Sequence, residues 1–230
     1  MPEPALGTVV VTGGASGLGA AVAHAVADAG GTPVVLDLHP PTNGFVHHTV
    51  DLADTAAARA AVARVADEHG GLHAVVTAAG IDACGKLADV DPEDWEHVVA
   101  VNLLGTAAVV RAALPYLEQS RGRVVTVAST LGLRALGDAT AYCASKFGVV
   151  GFTRSLSAEL GGRVGVTLLI PGGMETPFFD GRPEQYRPPP DAKLAAPEEV
   201  AAAVIFALGR PPEVDVRELL VCPPTEPSWP

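Results

Sequence analysis

Seven short apolar runs recur along this 230-residue chain, and between them lie stretches whose apolar positions repeat at a helical period. The runs are one ending in Val9 to Val11, then Pro33 to Leu38, Phe45 to Val50, His73 to Thr77, Arg123 to Ala128, Val164 to Ile170 and Arg217 to Cys222. Helices are expected over Gly17 to Ala29, Asp54 to Glu68, Asp91 to about Tyr116, Asp138 to about Leu160, and Pro197 to Leu208. Asp91-Pro92-Glu93-Asp94 is a strong helix start, with an acidic cap, proline at the first helical position and carboxylates in the first turn. Strands that are apolar almost throughout need cover on both faces, and strands alternating with helices supply it. The predicted fold is therefore a doubly wound α/β domain with one parallel sheet of seven strands, and its ligands belong at the strands' carboxyl ends.

Composition agrees with one domain. Hydrophobic residues make up 48% and aromatics only 5%, so Ala, Val, Leu and Gly fill the core. The net charge of −11 argues against nucleic acid and anionic membranes, both of which select basic surfaces. Cys84, Cys143 and Cys222 are widely spaced, and the histidines show no ligand spacing, so neither a disulfide framework nor a metal site is expected. Met1, Pro2, Glu3 and Pro4 lack the basic start and apolar core of a signal peptide, and no uncharged apolar run is long enough for a membrane span. A cytoplasmic setting is expected.

The first apolar run ends in Thr12-Gly13-Gly14-Ala15-Ser16-Gly17-Leu18-Gly19. Glycines here permit a tight turn and close approach of a pyrophosphate, and the following helix offers its N-terminal amides to an anion. Asp37 closes the second run, where a carboxylate can accept hydrogen bonds from an adenosine ribose and would repel a 2′-phosphate. No Arg or Lys stands in the glycine turn or just after Asp37, so NAD is favoured over NADP. Asp51 and Leu52 follow the third run and can frame the adenine, although Asp51 can equally be a plain loop cap. Gly80 ends the fourth run, where the backbone can lie against the cofactor. Tyr142 and Lys146 share a helix face at i and i+4, so the amine can lie beside the phenol and favour its ionised form. That arrangement suits a general base.

Taken together, Thr12-Gly-x-x-x-Gly17-x-Gly19, Asp37, Ala79-Gly80, Asn102, Ser129, Tyr142-x-x-x-Lys146 and Pro171-Gly172 resemble the short-chain dehydrogenase/reductase family over nearly the whole chain. The resemblance implies that Tyr142 is the general acid/base of alcohol–ketone interconversion and that Ser129 binds the substrate oxygen. It further implies that Lys146 also binds the nicotinamide ribose, and that Asn102 holds a water linking the lysine to solvent. Pro171, Gly173 and Thr176 would cradle the nicotinamide end, and a homotetramer or homodimer would form partly through the helices carrying Asn102 and Tyr142. The substrate is expected to be a small or medium-sized, largely apolar alcohol or ketone. Alternatives are an NADPH-dependent 3-oxoacyl thioester reductase and a non-catalytic dinucleotide sensor.

Several features depart from the family pattern or stand outside it. Thr77-Ala78-Ala79-Gly80 replaces the usual Asn-Asn-Ala-Gly, so a sheet-bracing side chain is lost or replaced by the Thr77 hydroxyl. Pro223-Pro224-Thr225 stands in place of Asp-Gly-Gly, and the tail from Pro223 to Pro230 is expected to be extended. Residues 175–191, polar and proline-rich, form a candidate lid in which Phe178, Phe179 and Tyr186 either line a pocket or close the core. Trp95 is expected to anchor its helix on a neighbouring element or a second subunit, and Cys143 to pack.

Overall fold

The computed structural model describes residues 6–42 and 44–229; the reading of Met1 to Pro4 and the last residue of the tail, Pro230, fall outside them. Seven strands form one sheet: β1 (Thr8–Thr12), β2 (Thr32–Asp37), β3 (Val46–Thr49), β4 (Ala74–Thr77), β5 (Arg123–Val127), β6 (Gly165–Pro171) and β7 (Glu218–Val221). Their order is β3-β2-β1-β4-β5-β6-β7 and every pairing is parallel. The order reverses between β1 and β4, so a crevice opens at that point beyond the strand ends.

Alternation along the strands sends side chains into two cores. Val10, Val34 and Leu36 pack with α2 (Thr55–His69), α4 (Thr106–Ser120) and α5 (Thr140–Leu160), whereas Val9 and Val11 pack with α1 (Gly17–Asp28) and α6 (Pro197–Leu208). All five of these strand residues are fully buried, and each such side chain contributes about 1.5–3 kcal/mol relative to exposure. The doubly wound architecture read from the sequence is the one observed.

The helix expected from Asp91 to Tyr116 is longer and is interrupted. It consists of α3 (Pro92–Val99), a π-helical turn at Ala100–Gly105, and α4. Asp91 caps it by accepting from the Glu93 amide at 2.8 Å. Trp95 donates from Nε1 to the Thr140 hydroxyl at 3.0 Å, which ties α3 to the start of α5. The run Pro92–Ser120 is long and apolar enough to cross a membrane by length and composition. Here Val101, Val109, Val110, Ala113 and Leu117 of that run belong to the core beside α2.

The tail is not extended. After β7 it makes two successive turns, with Glu226 N donating to Pro223 O at 3.1 Å and Trp229 N to Glu226 O at 3.3 Å. Each turn has proline at its second position, Pro224 in one and Pro227 in the other, where the fixed φ suits a turn.

Candidate active site

A cleft of about 960 Å³ runs along the carboxyl edge of the sheet from Asp37 to Tyr142. Its wall includes Gly13, Ser16, Gly17, Leu18 and Gly19 from the glycine turn, and Asp37, Asp51, Leu52, Ala79 and Gly80 from the ends of β2 to β4 and the segments after them. On the other side stand Ser129, Tyr142, Lys146, Pro171, Gly173 and Thr176. Of the residues expected to act on substrate or bind cofactor, Asn102 alone is off this wall.

The glycine turn is built by close approach. A Cβ on Gly19 would lie 2.1 Å from the Gly13 carbonyl oxygen, and one on Gly13, whose φ is +69°, would lie 2.7 Å from Ala79 Cα. No larger residue fits at either place. Ser16 precedes α1 in extended conformation and makes no side-chain bond to the helix amides, which leaves that helix start to an incoming anion. Asp37 accepts from Ala15 N through Oδ2 and from His39 N through Oδ1, both at 3.0 Å, so the carboxylate is fixed beside the glycine turn. Asp51 accepts from Ala53 N at 2.8 Å, the bond of a loop cap, while it still lines the cleft. These residues fit a dinucleotide: a glycine cradle with a helix start at one end, a fixed carboxylate beside it, and continuous space to Tyr142.

Asn102 acts on the loop after β4. Its Oδ1 accepts from Ile81 N at 2.9 Å, and its Nδ2 donates to Ile81 O at 2.9 Å and Ser145 Oγ at 3.0 Å. Thr12 Oγ1 accepts from Ala79 N at 3.1 Å. Those two side chains brace the loop, and the Thr77 hydroxyl does not, for it is buried without a partner.

Tyr142 and Lys146 do lie on one face of α5, yet their electrostatics differ from the expected ones. Lys146 Nζ donates to Val127 O at 2.9 Å and stands 5.6 Å from the Tyr142 ring centre. Burial lowers the Lys146 amine from 10.5 to about 8. The Tyr142 ring is half-buried in the cleft wall, and desolvation raises its phenol from 10.0 to about 12. A hydrogen bond with Ser129 opposes that rise, Asp82 adds to it and Arg182 reduces it. The expected lowering of the phenol by its lysine neighbour is thus absent here, because the amine is turned to a carbonyl and desolvation dominates.

Residues 175–191, the candidate lid, line the cleft with two short 3-10 turns, Pro177–Phe179 and Glu184–Tyr186. Phe178 stacks at a tilt on Tyr142, with centroids 5.6 Å apart. Arg182 lies 4.7 Å over both Phe178 and Phe179 and donates to Asp82 Oδ2 at 2.6 Å. Tyr186 donates from its hydroxyl to Asp138 Oδ2 at 3.1 Å. Cys84, whose thiol burial pushes up to about 12, donates to the same Asp82 oxygen at 3.1 Å. Sequence reasoning missed Asp82 and Arg182, and also Glu226 of the tail. The one available signal was the position of Asp82 just past Gly80, at the strand end where ligands gather.

The model of the short chain dehydrogenase family matches residues 7–187. D-threitol dehydrogenase of Mycolicibacterium smegmatis is 36% identical over 220 residues, covering 86% of this chain and 84% of the relative. The 3-oxoacyl-[acyl-carrier-protein] reductase of Thermotoga maritima is 32% identical over 216 residues, covering 86% of this chain and 88% of its own. Among solved structures, the ligand-free aldohexose dehydrogenase of Thermoplasma acidophilum is similar with a TM-score of 0.84 and 26% identity, covering 93% of this chain and 91% of that one. The chain therefore belongs to the short-chain dehydrogenase/reductase family, oxidoreductases that act on CH–OH groups.

Proposed function

We propose that this chain is an NAD-dependent oxidoreductase that interconverts a secondary alcohol and a ketone, with Tyr142 as general acid/base. The observation that carries the reading is a single cleft running from Asp37 and the glycine turn to Ser129, Tyr142 and Lys146. When bound, the nicotinamide accepts or gives the hydride. Tyr142 moves the proton at the substrate oxygen, and Ser129, on the same cleft wall, stabilises charge developing there. Lys146 supplies positive charge behind them and binds the ribose, while Asn102 holds the loop after β4 and a proton-relay water. Pro171, Gly173 and Thr176 receive the nicotinamide end.

Asp37 favours NAD, since a 2′-phosphate there would meet a carboxylate, and neither the glycine turn nor the stretch just after Asp37 carries an Arg or Lys. The substrate wall is mixed, with Phe178 on one side and Asp82 with Arg182 beyond it, which supports a small to medium-sized alcohol bearing a polar group besides the reacting one. The likeness to D-threitol dehydrogenase supports the same direction. The second reading, NADPH-dependent 3-oxoacyl thioester reduction, has support from the Thermotoga relative and is opposed by Asp37. The exposed Leu104, in the π-helical turn beside Asn102, and Phe147 on α5 support a homodimer or homotetramer through those helices. Three unpaired cysteines suit a reducing, cytoplasmic setting.

Absorbance of reduced cofactor, followed with NAD and NADP over a panel of secondary alcohols and ketones, tests the reading. Turnover with NAD is expected, and Tyr142→Phe should keep cofactor binding while losing nearly all of it. Undiminished activity in that variant would remove Tyr142 from the reaction. Tight NAD binding without turnover of any panel member would instead favour a dinucleotide sensor.

A further inference from the structure

The two proline turns carry the end of the chain back across the sheet edge. Glu226 accepts from Gly173 N through Oε2 at 2.7 Å. Its Oε1 accepts from Ser228 N at 3.1 Å and Ser228 Oγ at 2.6 Å. Ser228 Oγ in turn meets Thr130 Oγ1 at 2.6 Å. Glu226 and Ser228 both line the cleft, as do Gly173 and Thr130. A continuous set of hydrogen bonds therefore joins the turn after β6 to the turn after β5, next to Ser129.

The contact is close-fitting at Gly172 as well, where an added Cβ would lie 2.3 Å from Glu226 Oε2. Gly172 N donates to Val221 O at 2.9 Å, and Gly173 O accepts from Ala195 N at 3.0 Å. The turn after β6 is thus held on one side by the residues before α6 and on the other by the tail. Desolvation pushes the Glu226 carboxyl up, but the hydrogen bonds from Ser228 and Gly173 together outweigh it and hold the group below its ordinary range, so these are charge-assisted bonds at neutral pH. An extended tail would leave the Gly173 amide without that acceptor.

We propose that the C-terminal segment Thr225 to Ser228 is a strap built into the nicotinamide end of the site, with Glu226 as the positioning residue that sets Gly173 relative to the Ser129–Thr130 turn. The strap is made by the Pro-Pro-Thr-Glu-Pro-Ser run after β7, and the proposal rests on the reading of the cleft as a dinucleotide site. Glu226 acts through the Gly173 backbone that it holds.

Direct binding to the intact protein tests this, with NADH and ADP-ribose, which lacks the nicotinamide, each titrated calorimetrically. Glu226→Ala should weaken NADH about tenfold, the net effect of one charge-assisted hydrogen bond, and leave ADP-ribose within about twofold. Glu226→Gln, whose amide oxygen can still accept from Gly173, should recover most of the loss. Equal weakening of both ligands, or of neither, overturns the proposal. Should Glu226→Ala fail to fold, Ser228→Ala is read by the same ratio, since it removes the hydroxyl bridge between Glu226 and Thr130 and leaves the Gly173 bond in place. If the unaltered protein binds neither ligand, the dinucleotide reading falls and the strap with it; if it binds both and the variants match it, only the strap falls.

Discussion

Lys146 is buried, and its amine titrates near 8 instead of 10.5. Below pH 8 the amine is protonated in the folded and the unfolded chain alike, so the folded state bears the cost of desolvating the charge, about 3 kcal/mol. Above 10.5 both states are neutral and the cost is gone. Between those values the unfolded chain binds the extra proton, so stability rises with pH, by about 2 kcal/mol from pH 7 to pH 9.5. Lys146→Met removes the charge while keeping most of the apolar stem, and it leaves the Val127 carbonyl without its donor, a loss of about 1–2 kcal/mol. The variant should therefore be as stable as the parent or more so at pH 7, and should lose about 2 kcal/mol relative to it by pH 9.5. Urea unfolding followed by far-ultraviolet circular dichroism at the two pH values measures this. A difference between the two proteins that stays constant from pH 7 to pH 9.5 would show that the amine is not desolvated, and the account of Lys146 would fail.

Asp37→Ala should weaken NAD about tenfold and relax discrimination against NADP, measured as the ratio of kcat/KM with the two cofactors; an unchanged ratio would remove Asp37 from cofactor selection. Arg182→Met leaves the Asp82 carboxylate, only 6% exposed, without its cation. Breaking such a pair costs about 3 kcal/mol, and because one partner sits in the lid the cost should appear as lid opening. Faster proteolysis within residues 175–191 and a raised substrate KM are expected with cofactor affinity kept, whereas an unaltered cleavage rate would show that the pair does not hold the lid.

Features decided by neighbours in sequence were legible, and features decided by distant partners were not. Helix α6 begins and ends at the residues expected, Pro197 and Leu208, because proline and two glutamates mark its start and Gly209 follows its end. The glycine turn was readable because its spacing is a backbone requirement. Arg182 and Asp82 meet across 100 residues, and Glu226 and Gly173 across 53; no local pattern announces either pair. The tail's path was partly readable after all, since prolines at the second turn positions favour bending, but eight residues with four prolines also suit an extended segment. The π-helical turn at Asn102 escaped notice because apolar periodicity continues through it.

Spacing placed Tyr142 and Lys146 on one face and could not say which proton state each prefers. Burial drives both toward neutrality, the phenol to about 12 and the amine to about 8. Turning that phenol into a base at neutral pH needs about 7 kcal/mol. A unit charge at the 5.6 Å that separates Lys146 Nζ from the ring centre would supply about 3 kcal/mol at an effective dielectric of about 20. Lys146 alone therefore falls short, and its hydrogen bond to Val127 already orients it. Donating a proton to a ketone asks for no such shift, so the ligand-free site is set as an acid. On the reading proposed above, the remaining positive charge for alcohol oxidation has to arrive with the oxidised nicotinamide ring. That ties the proton affinity of Tyr142 to the redox state of whatever lies between the glycine turn and Gly173.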